Sequence, residues 1–402
     1  MKLKIPRQKT LMPDPRPYRA HVLRMVYSSS RITVHPGTDA IQESIGISLT
    51  PDSKPPVLLV GNFLSASRGT RGVSEELAER LRDAEFHVIV TSAQTSRFMR
   101  LLDMLAVAWK KRSAYSVAVV EVYSGLAFIW AELVCSLLRI AKKPFIITLH
   151  GGNLPLFARK WPRRVKRLLN SAAVVTTPSS FLLEQMSCYR ADLKWVPNPL
   201  DIKCYPFECR HAPRPTLMWL RAFHRIYNPR MAARVLSHMV GEYPTARLTM
   251  FGPDKGDGSL QDTMREAEAL DVTNRIEFAG PILKRDVGRA LCTGDIFINT
   301  TNIDNTPVSV MEAMACGLCI VSTNVGGIPH LLENEHDALL VPPDDPQAMS
   351  MAIRRILEEP GLARRLSANA RRKAEIFDWD VILPQWEALL ESANRKSLNV
   401  RK

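Results

Sequence analysis

The chain has 402 residues, 46% of them apolar and 23% charged, with a formal net charge of +14 and seven cysteines. That length can bury a full core and favours two domains, the composition excludes wholesale disorder, and an odd, scattered set of cysteines fits a reduced protein better than a disulfide framework. The charge is one-sided: residues 1–210 hold 31 Lys and Arg against 16 Asp and Glu, residues 211–402 hold 23 against 24, so the first half is suited to something anionic.

Residues 1–55 are rich in Pro, Arg and Ser without a sustained period and read as a loosely ordered N-terminal extension. The basic start runs into prolines and lacks the apolar core of a secretory signal. From Pro56 short apolar runs alternate with longer amphipathic stretches: 57–60, 87–92, 117–122, 144–149 and 172–177, separated by helix-like segments such as VSEELAERLRD and FLLEQM. The most apolar window, 117–138, is interrupted by Glu121, Gly125 and Glu132, and reads as a buried strand followed by a helix, not as a membrane span. In RKWPRRVKRLL (159–169), Trp161, Val165, Leu168 and Leu169 recur at helical spacing among six Lys and Arg, giving an amphipathic basic helix. Its bland reading is a solvated face, its sharper one a contact with anionic lipid or a phosphorylated acceptor.

A stretch with five prolines, 196–215, separates this half from a second series of apolar runs at 216–220, 246–251, 275–280, 295–300, 319–323 and 338–342. Asp345 before Pro346 marks an N-cap and first-turn proline, and 378–395 reads as a closing helix. Alternating strands and helices predict parallel sheets covered on both faces, two Rossmann-like doubly wound sheets facing a central cleft.

The stretch TTNIDNTPVSVMEAMACGLCIVSTNVGGIPH (300–330) carries the clearest chemistry. Asp304 lies on the loop beyond a strand, Thr306 is placed to cap a helix opening with Pro307, Val308 and Ser309, and Glu312 follows on its second turn. Free amides at a helix start suit an anion or hydroxyl, and carboxylates accept sugar diols well. Cys316 and Cys319 copy a redox spacing, but they close a helix and open a strand, the reverse of a thioredoxin-like site.

This stretch resembles the E-x7-E element of the retaining family-four glycosyltransferases of the GT-B fold. ITLHGGNLP (147–155), VPNPLD (196–201) and FGP (251–253) extend the likeness to roughly residues 56–390. The resemblance implies an N-terminal Rossmann-like acceptor domain at 56–200, a hinge at 201–215 and a C-terminal nucleotide-sugar domain at 216–378, with the helix 380–395 packing back on the first domain. It implies that Glu312 binds the donor ribose and that Asp304, standing where the family usually has glutamate, sits by the transferred sugar. Val308 and Ser309, with Asn305 and Thr306, would offer amides and hydroxyls, and Gly252 belongs to the short glycine turn. His150, Gly151 and Gly152 would approach the sugar from the other domain, and Gly69, Arg71 and Gly72 would form a loop near acceptor and phosphates. The family generally holds the diphosphate with an Arg and a Lys five residues later. Here Arg221 is followed at that distance by Ile226, so either Arg225 takes over the charge or the Arg221 fork carries more of it.

The expected function is a retaining transfer of a hexose-type sugar from a nucleotide-sugar to a glycan, lipid-linked or small-molecule acceptor. A nucleotide-sugar epimerase and a non-catalytic nucleotide-binding partner protein are the alternatives. No metal or other cofactor is expected, because no His/Cys ligand cluster with suitable spacing is present. Nucleic acid is not expected as a partner, since the basic half lacks aromatic interleaving. The expected location is cytoplasmic, with peripheral contact at the inner membrane face.

Overall fold

The computed structural model of the chain describes residues 54–63 and 72–400, the last five of these by backbone alone. Nearly all of the 1–55 segment, together with Gly69 and Arg71, lies outside the described residues. The architecture is α/β, with two six-stranded parallel sheets in one compact unit, Ser53–Lys402.

The first sheet contains β1 (Val57–Val60), β2 (Val88–Thr91), β3 (Val117–Val122), β4 (Phe145–Leu149), β5 (Val174–Thr177) and β6 (Lys194–Trp195), in the order β2-β1-β3-β4-β5-β6. Its connections carry α1 (Val73–Asp83), α2 (Arg97–Lys110), α3 (Leu126–Ile140), α4 (Leu154–Lys160), α5 (Pro162–Ser171) and α6 (Ser180–Met186). Successive strand residues point to opposite faces, so a strand buried on both sides must be apolar throughout. Leu58, Val60 and Ile147 pack with Phe128, Leu138 and Val165 on one face, while Val57, Leu59 and Ile146 pack with Leu77 and Leu81 on the other.

The second sheet contains β7 (Thr216–Leu220), β8 (Arg247–Phe251), β9 (Ile276–Gly280), β10 (Ile296–Asn299), β11 (Cys319–Thr323) and β12 (Leu339–Val341), in the order β12-β11-β10-β7-β8-β9. Around it lie α7 (Pro229–Ser237), α8 (Ser259–Ala269), α9 (Val287–Leu291), α10 (Val308–Ala315), α11 (Ile328–Leu331), α12 (Pro346–Glu358) and α13 (Leu362–Ala374). The Asp345 carboxylate accepts the Ala348 N–H at 2.8 Å, capping α12 ahead of its first-turn proline. Winding reverses between β1 and β3 in the first sheet and between β7 and β10 in the second. A crevice opens at such a reversal, beyond the carboxyl ends of the strands.

The chain passes between the sheets twice, side by side. Leu200 donates its N–H to Phe377 O at 2.8 Å and accepts from Trp379 N–H at 3.0 Å. The last helix, α14 (Trp379–Val400), then returns to the first sheet, where Trp379, Ile382, Trp386 and Leu390 are buried against Val57, Leu59 and Ile146.

One local expectation fails. The basic helix drawn through Trp161 is two helices, because Pro162 lacks an N–H and disfavours the helical conformation at the residue before it. Trp161, at φ −130° and ψ 54°, is the corner between them and is exposed, while Val165, Leu168 and Leu169 are buried.

Candidate active site

The second-sheet half of the site is built on the loops after β7 and β10, the two strands that flank the reversal. Leaving β7, the chain crosses the end of β8: Arg221 N–H bonds Phe251 O at 3.0 Å and Phe223 N–H bonds Pro253 O at 2.9 Å. Gly252 permits this crossing. Its φ is +146°, and a Cβ there would stand 2.5 Å from the Arg221 carbonyl carbon. Arg221 is half-buried at this point, its guanidinium 4.4 Å from the Tyr227 ring centroid and ion-paired with Asp304. Both orientation and charge of the fork are therefore fixed by protein groups.

Asp304 and Asn305 form the loop that leads from β10 to α10, and the paired glycine at 326 and 327 is what that loop rests on. Gly327 N–H donates to Asp304 O at 3.0 Å, and a Cβ on Gly327 would lie 2.7 Å from the Asn305 carbonyl carbon. α10 starts one residue later than expected: Pro307 is its N-cap, and no side chain, Thr306 included, caps it. Proline cannot supply the capping oxygen, so the first amides of α10, beginning with Val308 and Ser309, have no side-chain cap.

Glu312 is buried inside α10, and Oε1 accepts from Tyr205 Oη at 2.9 Å and from Lys284 Nζ at 2.6 Å. Sequence reasoning found neither partner. Tyr205 comes from the proline-rich segment between the sheets and Lys284 from the turn after β9, and nothing local in either stretch signals a meeting with α10. Next to these groups, Arg221 Nε, Asn305 Oδ1 and Ser309 Oγ are buried atoms without a hydrogen-bond partner among the described residues. Such orphans are costly unless a polar ligand satisfies them.

The first-sheet half faces this loop. His150 follows β4, and a Cβ built on Gly152 would meet Asp304 O at 3.5 Å, so the His-Gly-Gly turn and the Asp304 loop come together across the crevice. His150 stacks on Tyr123 with ring centroids 5.2 Å apart, and its Nε2 lies 3.9 Å from Glu121 Oε1. In the sequence Glu121 is only an interruption of an apolar run. It accepts from Ser74 Oγ and, at 3.3 Å, from Tyr123 Oη, and a Cβ on Gly61 would stand 2.7 Å from its carboxylate. Burial pushes the Glu121 carboxyl up to about 7, partly opposed by the Asn62 N–H and Tyr123, and burial pushes His150 down to about 4. Burial thus favours the uncharged form of both groups, a neutral imidazole beside a carboxyl that holds its proton to higher pH than usual. Glu121, His150, Ser74, Thr148, Asn198 and Trp386 are among the residues lining a crevice on this side.

Arg225 is not brought to the site. Its mostly exposed side chain turns to Asp257, 3.4 Å away, so it does not replace the cation missing at Ile226. Gly72 is the N-cap of α1; it donates its N–H to Glu75 Oε2 at 3.0 Å and accepts the Glu75 N–H on its carbonyl at 3.1 Å, and these helix-start bonds are the only role its contacts show among the described residues.

Residues 214–359, which hold the whole of this second half from Arg221 to Glu312, match the family described as glycosyl transferases group 1. That match covers the second sheet and most of the helices around it. Among curated relatives, the chain is 25% identical to D-inositol 3-phosphate glycosyltransferase of Streptomyces bingchenggensis over 38% of its own length and 35% of the relative's. It is 24% identical to phosphatidyl-myo-inositol mannosyltransferase of Mycolicibacterium smegmatis over 66% and 69%. The match thus spans about a third of the first relative and about two thirds of the second. Among solved structures, sucrose-phosphate synthase from Thermosynechococcus elongatus superposes with a TM-score of 0.70 at 19% identity, covering 87% of this chain and all of that one. Anabaena Alr3699/HepE in complex with UDP and glucose gives 0.69 at 18%, covering 84% and all. The fold is GT-B, and these two structures share it.

Proposed function

We propose that the chain is a retaining glycosyltransferase that moves a hexose-type sugar from a nucleotide-sugar to a glycan or lipid-linked acceptor. The observation that carries this reading is the cluster of orphaned buried atoms, Arg221 Nε, Asn305 Oδ1 and Ser309 Oγ, beside two carboxylates at a sheet reversal. A sugar diphosphate supplies what each lacks: phosphate oxygens for Arg221 and the α10 amides, sugar hydroxyls for Asn305 and Ser309. Glu312, held by Lys284 and Tyr205, is the group for the ribose, and Asp304 the group for the sugar. Departure of the diphosphate builds negative charge, and fixed donors offset it most when they need no rearrangement. Arg221, locked between Asp304 and Tyr227, and the uncapped amides of α10 are such donors. His150 and Gly152 close on the sugar from the first sheet, and the crevice beside Glu121 takes the acceptor. Closure of the two sheets about the double crossing at Leu200 and Asp378 excludes water during transfer.

No helix among the described residues is long and apolar enough to cross a membrane. The basic first half favours an acceptor carried at an anionic surface, with the chain working from the cytoplasmic side. A thermal-shift panel of nucleotide-sugars, with UDP-glucose among the first probes, tests the donor reading, since a ligand bound only by the folded state raises the melting temperature. A donor of one nucleotide raising it selectively supports the reading, and no shift with any donor at millimolar concentration overturns it.

A further inference from the structure

Of the eighteen large apolar side chains exposed among the described residues, ten lie between Phe98 and Trp161. They concentrate on α2 and α3, helices that pack against each other on one face of the first sheet. On α3, Leu126, Ile129, Leu133 and Ile140 recur at helical spacing along the side opposite the buried Phe128, Ala131, Val134 and Leu138, and Leu126 and Ile140 are 73% and 70% exposed. On α2, Phe98, Leu102 and Trp109 form a parallel row, with Phe98 68% exposed. A helix that is apolar on both sides is either buried on both or partnered on both, and contiguous apolar faces on a soluble surface mark a contact.

Charge selects the partner. Residues 97–112, 126–143 and 154–171 together hold fourteen Lys and Arg against two carboxylates. Both carboxylates are engaged: Asp103 accepts from Thr91 Oγ1 at 3.0 Å, and Glu132 from Arg164 Nε at 3.1 Å. Lys110, Lys111 and Arg112 close α2 and Arg139 closes α3, so an outward apolar comb is edged by cations. An anionic lipid surface offers both complements at once: acyl chains for the comb, headgroup charge for its rim.

We infer that the α2–α3 face, with the basic α4–α5 corner beside it, seats the chain on an anionic membrane. This deepens the reading above, since it makes the acceptor lipid-linked: α2 and α3 begin at the carboxyl edge of the sheet, the edge that carries His150, so a headgroup held at that level faces the crevice. Leu133→Glu combined with Ile140→Glu removes the comb, and Lys110→Glu combined with Lys111→Glu reverses part of the rim; all four positions are exposed and leave the core untouched. Co-sedimentation is read with vesicles of phosphatidylcholine alone and of phosphatidylcholine mixed with phosphatidylglycerol, at low and high salt, with no sugar substrate present. Binding to the mixed vesicles only, weakened on the order of tenfold by either double variant, is the expected result. Indifference to phosphatidylglycerol, or equal binding by wild type and both variants, overturns it. So does a wild-type dimer in sedimentation velocity that the Leu133→Glu/Ile140→Glu variant dissolves, which assigns the face to a second copy. Hydrolysis of the donor in solution is measured in parallel and is expected to be unchanged in both variants, so loss of lipid binding and failure of the donor reading remain separate results.

Discussion

Replacing Gly327 by alanine presses a methyl group on the Asn305 carbonyl and displaces the Asp304–Asn305 loop. Residue 327 has φ −84° and ψ −4°, which alanine adopts freely, so backbone strain contributes little. The added Cβ would stand 2.7 Å from the Asn305 carbonyl carbon and nearer still to its oxygen, where ordinary contact begins at 3.4 Å. Asp304 and Asn305 must therefore recede by roughly 1 Å, and a misplacement of that size at groups orienting a reacting sugar costs on the order of 100-fold in rate, about 3 kcal/mol. Initial rates of sugar transfer and a thermal melt are measured together. Gly241→Ala is the control, because a Cβ there meets nothing within 4 Å. A folded Gly327→Ala enzyme with a rate within about threefold of wild type refutes the claim that the glycine pair sets the position of Asp304.

Three further outcomes follow from the same geometry. Lys284→Met leaves the buried Glu312 carboxylate with Tyr205 alone and should destabilise the fold by about 1–3 kcal/mol, with partial recovery in the Lys284→Met/Glu312→Gln double variant; additive losses in a double-mutant cycle contradict the pairing. Arg221→Ala should weaken donor binding strongly while Arg225→Ala changes it little, since only Arg221 faces the orphaned polar cluster; equal losses by titration calorimetry would count against that division. Glu121→Gln should change the pH dependence of stability. A carboxyl raised from 4.5 to about 7 binds more protons folded than unfolded, so it lowers stability as pH rises between those values, and its removal should raise relative stability over that window by up to about 3 kcal/mol. His150, lowered from 6.5 to about 4, acts in the opposite sense, so the parent protein should show a nearly flat profile from 4.5 to 6.5 and the variant a rising one. Parallel denaturation profiles for the two proteins defeat this assignment.

The strands were legible because strands of a covered parallel sheet are written as short runs rich in apolar residues, and eleven of the twelve strands among the described residues coincide with such a run, although β8 and β9 near the sheet edge carry the exposed Arg247 and Glu277. The twelfth, β6, has two residues, Lys194 and Trp195, too few to show a period. The break at Trp161 was legible in principle from Pro162, but the helical spacing of its neighbours outweighed it. At the site, the loop and helix from Asp304 to Glu312 could be read because their residues are consecutive. The partners of Glu312 could not, since Tyr205 and Lys284 reach it from 107 and 28 residues away through tertiary packing alone. Glu121 was hidden by its strand: a single acid in an apolar run looks like an interruption until Ser74, Tyr123 and His150 are seen around it. The outward row on α3 was hidden by the same apolarity that revealed the helix, because composition does not tell which of two apolar sides is covered.

The most direct measurement is calorimetric titration of a nucleotide-sugar into wild type and into Glu312→Ala, with folding of both checked by circular dichroism. If Glu312 and its neighbours hold the donor at the mouth of α10, the variant binds at least 100-fold more weakly, a loss of about 3 kcal/mol, and transfers sugar correspondingly slowly. Equal affinity and equal turnover in a folded Glu312→Ala protein contradict the account at its centre.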